Sequence, residues 1–245
     1  MRTKKETDLE QKKIRPLLWE YALPAIVGTL VNSLYNIVDR IFIGQGVGAM
    51  AISGLAITFP VTILVSSLGM LIGVGGASRI SISLGEKRKD TAEKILGNSL
   101  LLTLIFNAVV VTLFYIYLDE ILIAFGATEN TLPYAREYLQ IVLMGNVFVS
   151  LCYSFNNMMR ASGYPQKAMY TMLIGAVLNI ILDPIFIFVF NMGIAGVAWA
   201  TVISMFVGMV FVIHHFYQPE SIIRLKKKYI RLNKEIIIAI VSIGM

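Results

Sequence analysis

Asn179, Asp183 and Pro184 lie in the run Leu178-Asn179-Ile180-Ile181-Leu182-Asp183-Pro184, which is otherwise apolar. Four residues apart, Asn179 and Asp183 share one face of a helix. Pro184 has no N–H to give the carbonyl of Ile180, so a third oxygen is freed beside them. An acid in such a run is expensive in hydrocarbon and is expected to face a bundle interior or a watery path. Carboxylate, amide and free carbonyl oxygens together are ligands for a hard cation. Proton carriers use the same acids.

Only one other acid, Asp39, lies well inside an apolar segment. It precedes Gly44 by five residues, placing it roughly 8 Å from the outer end of its helix at about 1.5 Å per residue. Asp183, seven residues before Phe190, is roughly 10 Å in by the same rise. Thr201, eight residues after Gly193, is roughly 12 Å in. Asp39, Asn179, Asp183 and Thr201 are therefore expected at one depth, as ligands for Na⁺ or as carriers of H⁺, with no other cofactor. The competing reading of Asp39 is a simple interfacial pair with Arg40. Thr201 alone could bond its own helix backbone. Asn36 shares a face with Asp39, and Asn156 and Asn157 lie near the inner end of the fourth segment; helix–helix adhesion is the alternative for all three. Met172 is one of twelve methionines, a residue type that adapts to varied ligands but also fills cores. His214 and His215 read as interfacial.

The elements that must position these residues are membrane helices. Of the 245 residues 57% are hydrophobic and only 15% charged, with mean hydropathy +0.74, against about a quarter charged in soluble domains. Apolar segments are expected at about 16–43, 52–83, 92–118, 138–160, 169–190 and 193–217, each long enough for the roughly 20 residues that span a bilayer. Pro24 predicts a kink in the first segment and Pro60 a break in the second. Small residues from Ser66 to Ser78 predict close helix approach in the second. The fold class is thus all-α: a polytopic membrane protein of six transmembrane helices.

Nineteen of the 21 Lys/Arg fall at the N-terminus, around the second–third and fourth–fifth connections, and after the sixth segment, leaving Arg40 and Arg136. That bias places residues 1–15 and a basic linker at 218–235 on the cytoplasmic side of the cell membrane. The net charge of +6 is accounted for by these loops, so no nucleic-acid partner is implied. Residues 236–245 are again apolar after a basic approach, which predicts the start of a seventh helix cut short, the first of a second repeat. No enzyme signature is present: Gly73-Val74-Gly75-Gly76 does not open a strand–turn–helix unit, and His and Cys show no metal-binding spacing.

In its details the sequence resembles the multidrug and toxic compound extrusion (MATE) transporters, nearest their prokaryotic DinF-like branch. The resemblance is carried by Pro24, by Asn36-Ile37-Val38-Asp39-Arg40-Ile41-Phe42-Ile43-Gly44, and by Gly54-Leu55 with Phe59-Pro60. Arg160-Ala161-Ser162-Gly163, Leu178-Asn179 with Leu182-Asp183-Pro184, and the stretch from Gly193 to Thr201 complete it. It implies one lobe of a two-lobe, twelve-helix transporter, residues 16–217, exporting organic cations or drugs in exchange for Na⁺ or H⁺. It also implies that Asp39, Asn179, Asp183 and Thr201 form the cation site. An asparagine of the pair Asn156/Asn157 would line the lobe cavity. Apart from the resemblance, Asn36 by its face and Met172 by its adaptable side chain are further candidate substrate contacts. The implied partners are the bilayer, the organic cation, and a second lobe or second copy. The alternatives are a lipid-linked oligosaccharide flippase, whose cavity should be more basic, and a membrane scaffold without transport.

Overall fold

The computed structural model describes residues 13–244; Arg2, Lys4, Lys5 and Lys12 of the expected basic N-terminal segment, and Met245, lie outside that range. Among the described residues eight α-helices follow one another: α1 Ile14–Gly46, α2 Ala49–Gly85, α3 Lys89–Ile116, α4 Leu118–Ala124, α5 Leu132–Ala161, α6 Pro165–Pro184, α7 Gly193–Tyr217 and α8 Lys234–Gly244. α6 continues as a π-turn over Ile185–Val189, and a short 3₁₀ turn occupies Lys227–Tyr229. Among the described residues there is no strand, and α1, α2, α3, α5, α6 with its π-turn, and α7 are long and apolar enough to cross a membrane. The chain is a polytopic all-α membrane protein.

Several expected boundaries are corrected. The second segment is not broken at Pro60: α2 runs unbroken through it. Proline removes a single ladder bond, that to the Ala56 carbonyl, and the helix packed in the bundle continues through it. The fourth segment begins at Leu132 rather than near Tyr138, because Pro133 suits a first helical turn. The acidic connection before it folds into α4, whose Leu118 and Leu122 are buried against α2 and α5.

α5 is the centre of the bundle: 61% of its apolar window is buried, against 17% for α1 and 22% for α3. The helices that flank it face outward with large apolar side chains. On α1, Leu23, Ile26, Leu30, Leu34, Ile37 and Ile41 are at least half exposed, the surface expected toward lipid or another lobe. The opposite stripe of α1, Pro24, Gly28, Tyr35, Asp39 and Ile43, is buried. The four-residue spacing thus turns Asp39 inward, chiefly against α6.

α2 and α5 approach closely along small residues. A Cβ on Gly69 would lie 2.7 Å from the Ser150 backbone, and one on Gly73 2.8 Å from that of Ser154. Beside this seam the Asn146 amide donates to Asn107 Oδ1 (2.7 Å) and to Ser150 Oγ (3.3 Å), and the Ser66 hydroxyl donates to Asn146 Oδ1 (3.4 Å). In hydrocarbon such bonds hold helices together.

The segment between α7 and α8 is docked on the bundle. Ile222, Ile223 and Leu225 are buried in the same apolar cluster as Leu96, Phe155 and Phe216. Its backbone is tied by the Tyr164 hydroxyl, which donates to the Glu220 carbonyl (2.7 Å) and accepts from the Ile222 N–H (3.2 Å). This cover also corrects the reading of His215. It is 2% exposed, not interfacial, because Ser221 and the Tyr164 ring close over it.

Candidate cation site

Three helices and the start of a fourth position the polar groups. On α6 the buried stripe Ala168, Thr171, Gly175, Ala176, Asn179 and Asp183 follows helical spacing, so Asn179 and Asp183 point inward together. The α6 ladder ends at Pro184, after which the π-turn carries the chain outward. Gly196 of α7 allows this turn to pack closely, since a Cβ there would lie 2.9 Å from Phe186. Thr201 is thereby set opposite Asn179.

Asp183 is fully buried, Asn179 is 2% exposed and Asp39 6% exposed. The Asn179 amide donates to Asp183 Oδ1 (3.4 Å) and to Thr201 Oγ1 (3.5 Å). The carboxyl groups of Asp39 and Asp183 interact directly across the α1–α6 seam. The four residues expected at a common depth are therefore brought together. Asp39 and Arg40 form no close salt bridge, though Arg40 acts on Asp39 at longer range; Arg40 is exposed and lies over the Phe59 ring, 5.6 Å from its centroid.

Tyr138 of α5 joins the group. It is 8% exposed, and its hydroxyl lies near Thr201 and both carboxyls. Nothing in its sequence context marked it, because a phenol in an apolar segment is ordinary. The surrounding shell is apolar, formed by Ile43, Ala51, Val142, Ile187, Ile194 and Val197.

Asp39 Oδ1, Asn179 Oδ1 and Asp183 Oδ2 are buried and have no hydrogen-bond donor. Two buried carboxyls in contact repel unless a proton or cation lies between them. Oxygens of two carboxyls, an amide and a hydroxyl suit a hard cation, and the group contains no soft ligand.

The other expected site residues divide. A small cavity of about 20 Å³, room for one water molecule, lies between α1, α5, α6 and α7 and is lined by Asn156 and Met172, with Asn32, Tyr35, Tyr153 and Ser204. Asn156 is fully used: its amide donates to the Ala168 carbonyl (2.8 Å), and its Oδ1 accepts from Arg160 Nη2 (2.7 Å) and Nε (3.0 Å). Arg160 also reaches the Met172 sulfur (3.3 Å). Asn36 and Asn157 do not line the cavity. Their amides donate to their own helices, at Asn32 (2.7 Å) and Tyr153 (3.0 Å).

Six membrane-length helices around a buried polar site that includes two carboxyls are the arrangement of a transporter lobe. The chain belongs to the MatE family, whose model matches residues 24–185. It is 31% identical over 235 residues to the multidrug export protein MepA of Staphylococcus saprophyticus, covering 96% of this chain and 52% of that protein. The MepA of Staphylococcus aureus strain NCTC 8325 is also 31% identical, over 236 residues, with the same shares. The chain thus spans about half the length of these curated relatives. Among solved structures, the outward-facing form of a multidrug resistance MATE transporter superposes with TM-score 0.92 at 28% identity, over 100% of this chain and 54% of that one. The inward-facing form of such a transporter gives 0.82 at 28% identity, over 90% and 52%.

Proposed function

We propose that this chain forms the first lobe of a cation-coupled antiporter that exports organic cations across the cell membrane, with Na⁺ or H⁺ entering in exchange. The observation that carries the reading is the buried meeting of Asp39 and Asp183, with Asn179 and Thr201, and its three oxygens without a donor. An entering cation neutralises the two carboxyls and draws α1 and α6 together. A second lobe or a second copy completes the path. The 20 Å³ cavity supports this division, because drug-sized ligands occupy about 300–1,000 Å³. The organic cation is therefore held between lobes, with the face around Asn156 and Met172 as one wall. The basic linker and N-terminal segment lie on the cytoplasmic side.

Coupling requires that cation and drug favour different conformations. Asp39 and Asp183 supply that difference, since their mutual repulsion is relieved only in the cation-bound state. The test is ethidium efflux from vesicles containing the full-length transporter under imposed Na⁺ or H⁺ gradients. Asp183→Asn keeps the side-chain shape and removes one charge, so gradient-driven efflux should be lost while ethidium binding persists. Efflux that still follows the gradient in Asp183→Asn would overturn the coupling role.

A further inference from the structure

Two basic stretches far apart in sequence are brought onto one face by the docked segment between α7 and α8. Tyr229, in its 3₁₀ turn, lies against the first turns of α3. Its hydroxyl donates to Asp90 (3.0 Å), and its ring has the ammonium groups of Lys228, Lys226 and Lys94 at 4.4, 5.8 and 6.0 Å from the centroid. The backbone carbonyl of Tyr229 rests on Gly97 of α3, where a side chain would displace it.

Two acids of this face, Glu93 and Asp90, are engaged, while Glu235 at the start of α8 is exposed. Glu93, 1% exposed, accepts from the Arg224 N–H (3.3 Å) and pairs with Lys226 (2.5 Å). Asp90 takes the Tyr229 hydroxyl. Lys94, Lys227, Lys228 and Arg231 are exposed and form no salt bridge with a described residue. The Tyr229 hydroxyl beside Lys228 holds its ammonium above the usual lysine range, so the charge persists at any physiological pH.

The position of this face identifies its partner. It sits where α3 begins, α7 ends and α8 begins, at the edge of three apolar helices, with exposed Tyr217 and Leu232 beside it. Tyrosine and apolar side chains next to lysines mark the headgroup level of a bilayer. A basic cluster at that level meets lipid phosphates before any soluble polyanion. We propose that the docked linker and the start of α3 form a binding surface for the phosphodiester headgroups of anionic phospholipids, with Lys94, Lys227, Lys228 and Arg231 as the contacts. Tyr229 spaces the ammonium groups, and Glu93 fixes the strap that carries them.

The test is thermal unfolding of the purified full-length protein in a neutral detergent, titrated with phosphatidylglycerol, phosphatidylcholine, inorganic phosphate or a short oligonucleotide. Phosphatidylglycerol should raise the Tm in a salt-sensitive way, and the other three should not. In the triple variant Lys227→Gln/Lys228→Gln/Arg231→Gln the apparent affinity should fall on the order of a hundredfold, three charges at the surface acting together. If that variant proves unstable in detergent alone, Lys227→Arg/Lys228→Arg retains the charges and should keep the response. Equal stabilisation by phosphatidylcholine would overturn the proposal, showing that acyl chains suffice. Equal stabilisation by phosphate or oligonucleotide would overturn it in favour of a soluble-anion surface. So would an unchanged response in the triple variant, or its loss in the arginine variant.

Discussion

Glu93 gives the sharpest prediction about how the lobe is held together. Its carboxylate is buried, yet Lys226, its ion-pair partner, is 39% exposed. The pair is therefore partly screened and is worth about 0.5–1 kcal/mol. Glu93→Gln removes that charge but leaves an oxygen to accept from the Arg224 N–H, so it should cost about 1 kcal/mol. Glu93→Ala also strands the backbone donor, which adds about 1–3 kcal/mol. The loss should be local, because Tyr164 and the Asn98–Asn233 bond (2.7 Å) still hold the rest of the strap. Hydrogen exchange of residues 222–230 is the assay. Since 1.4 kcal/mol is tenfold, exchange should quicken about fivefold in the glutamine variant and by roughly one to two further factors of ten in the alanine variant. Trypsin should then cut more readily after Lys226, Lys227 and Lys228. Wild-type protection in Glu93→Ala would refute the reasoning, and equal effects of Gln and Ala would show that the backbone acceptor does not matter.

Gly73→Leu should destabilise the bundle by about 1–3 kcal/mol or more despite leucine's better helix propensity, because even its Cβ lies 2.8 Å from the Ser154 backbone; a thermal melt in detergent that is unchanged or raised would contradict this. Tyr138→Phe removes a buried hydroxyl that lies near Thr201 and both carboxyls, an interaction of about 1 kcal/mol. In the efflux assay it should raise the half-saturating coupling-ion concentration about fivefold with maximal rate retained, and an unchanged value would exclude Tyr138 from the site.

Much of the site was legible because two acids in apolar runs have few structural explanations. Asp39 and Asp183 stood out for that reason, and helix rise alone put them at the depth of Thr201. Tyr138 did not stand out, because only the packing of α5 against α6 and α7 turns its hydroxyl toward that group. Asn36 was a candidate because it shares a face with Asp39, and Asn157 because the family resemblance puts an asparagine of its pair in the lobe cavity. Each instead bonds a carbonyl of its own helix, a choice that depends on what the neighbouring helix offers. Pro60 misled in the opposite direction: the loss of one ladder bond does not break a helix packed inside a bundle, and α2 runs on through it.

Glu93 shows where reading the sequence runs out. In Lys89-Asp90-Thr91-Ala92-Glu93-Lys94 it looks like one charge of a solvated helix start. Its burial is created by Arg224 and Lys226, more than 130 residues later in the chain.

The sequence by itself determined the helices, the apolar stripes that bury one side of each, and the acids those stripes carry inward, because periodicity and the cost of charge in hydrocarbon are local properties. The tertiary structure alone decided which oxygens meet, which asparagines are already bonded, and that the basic linker lies docked against α3 rather than loose. Those outcomes depend on distances between segments that no local spacing encodes.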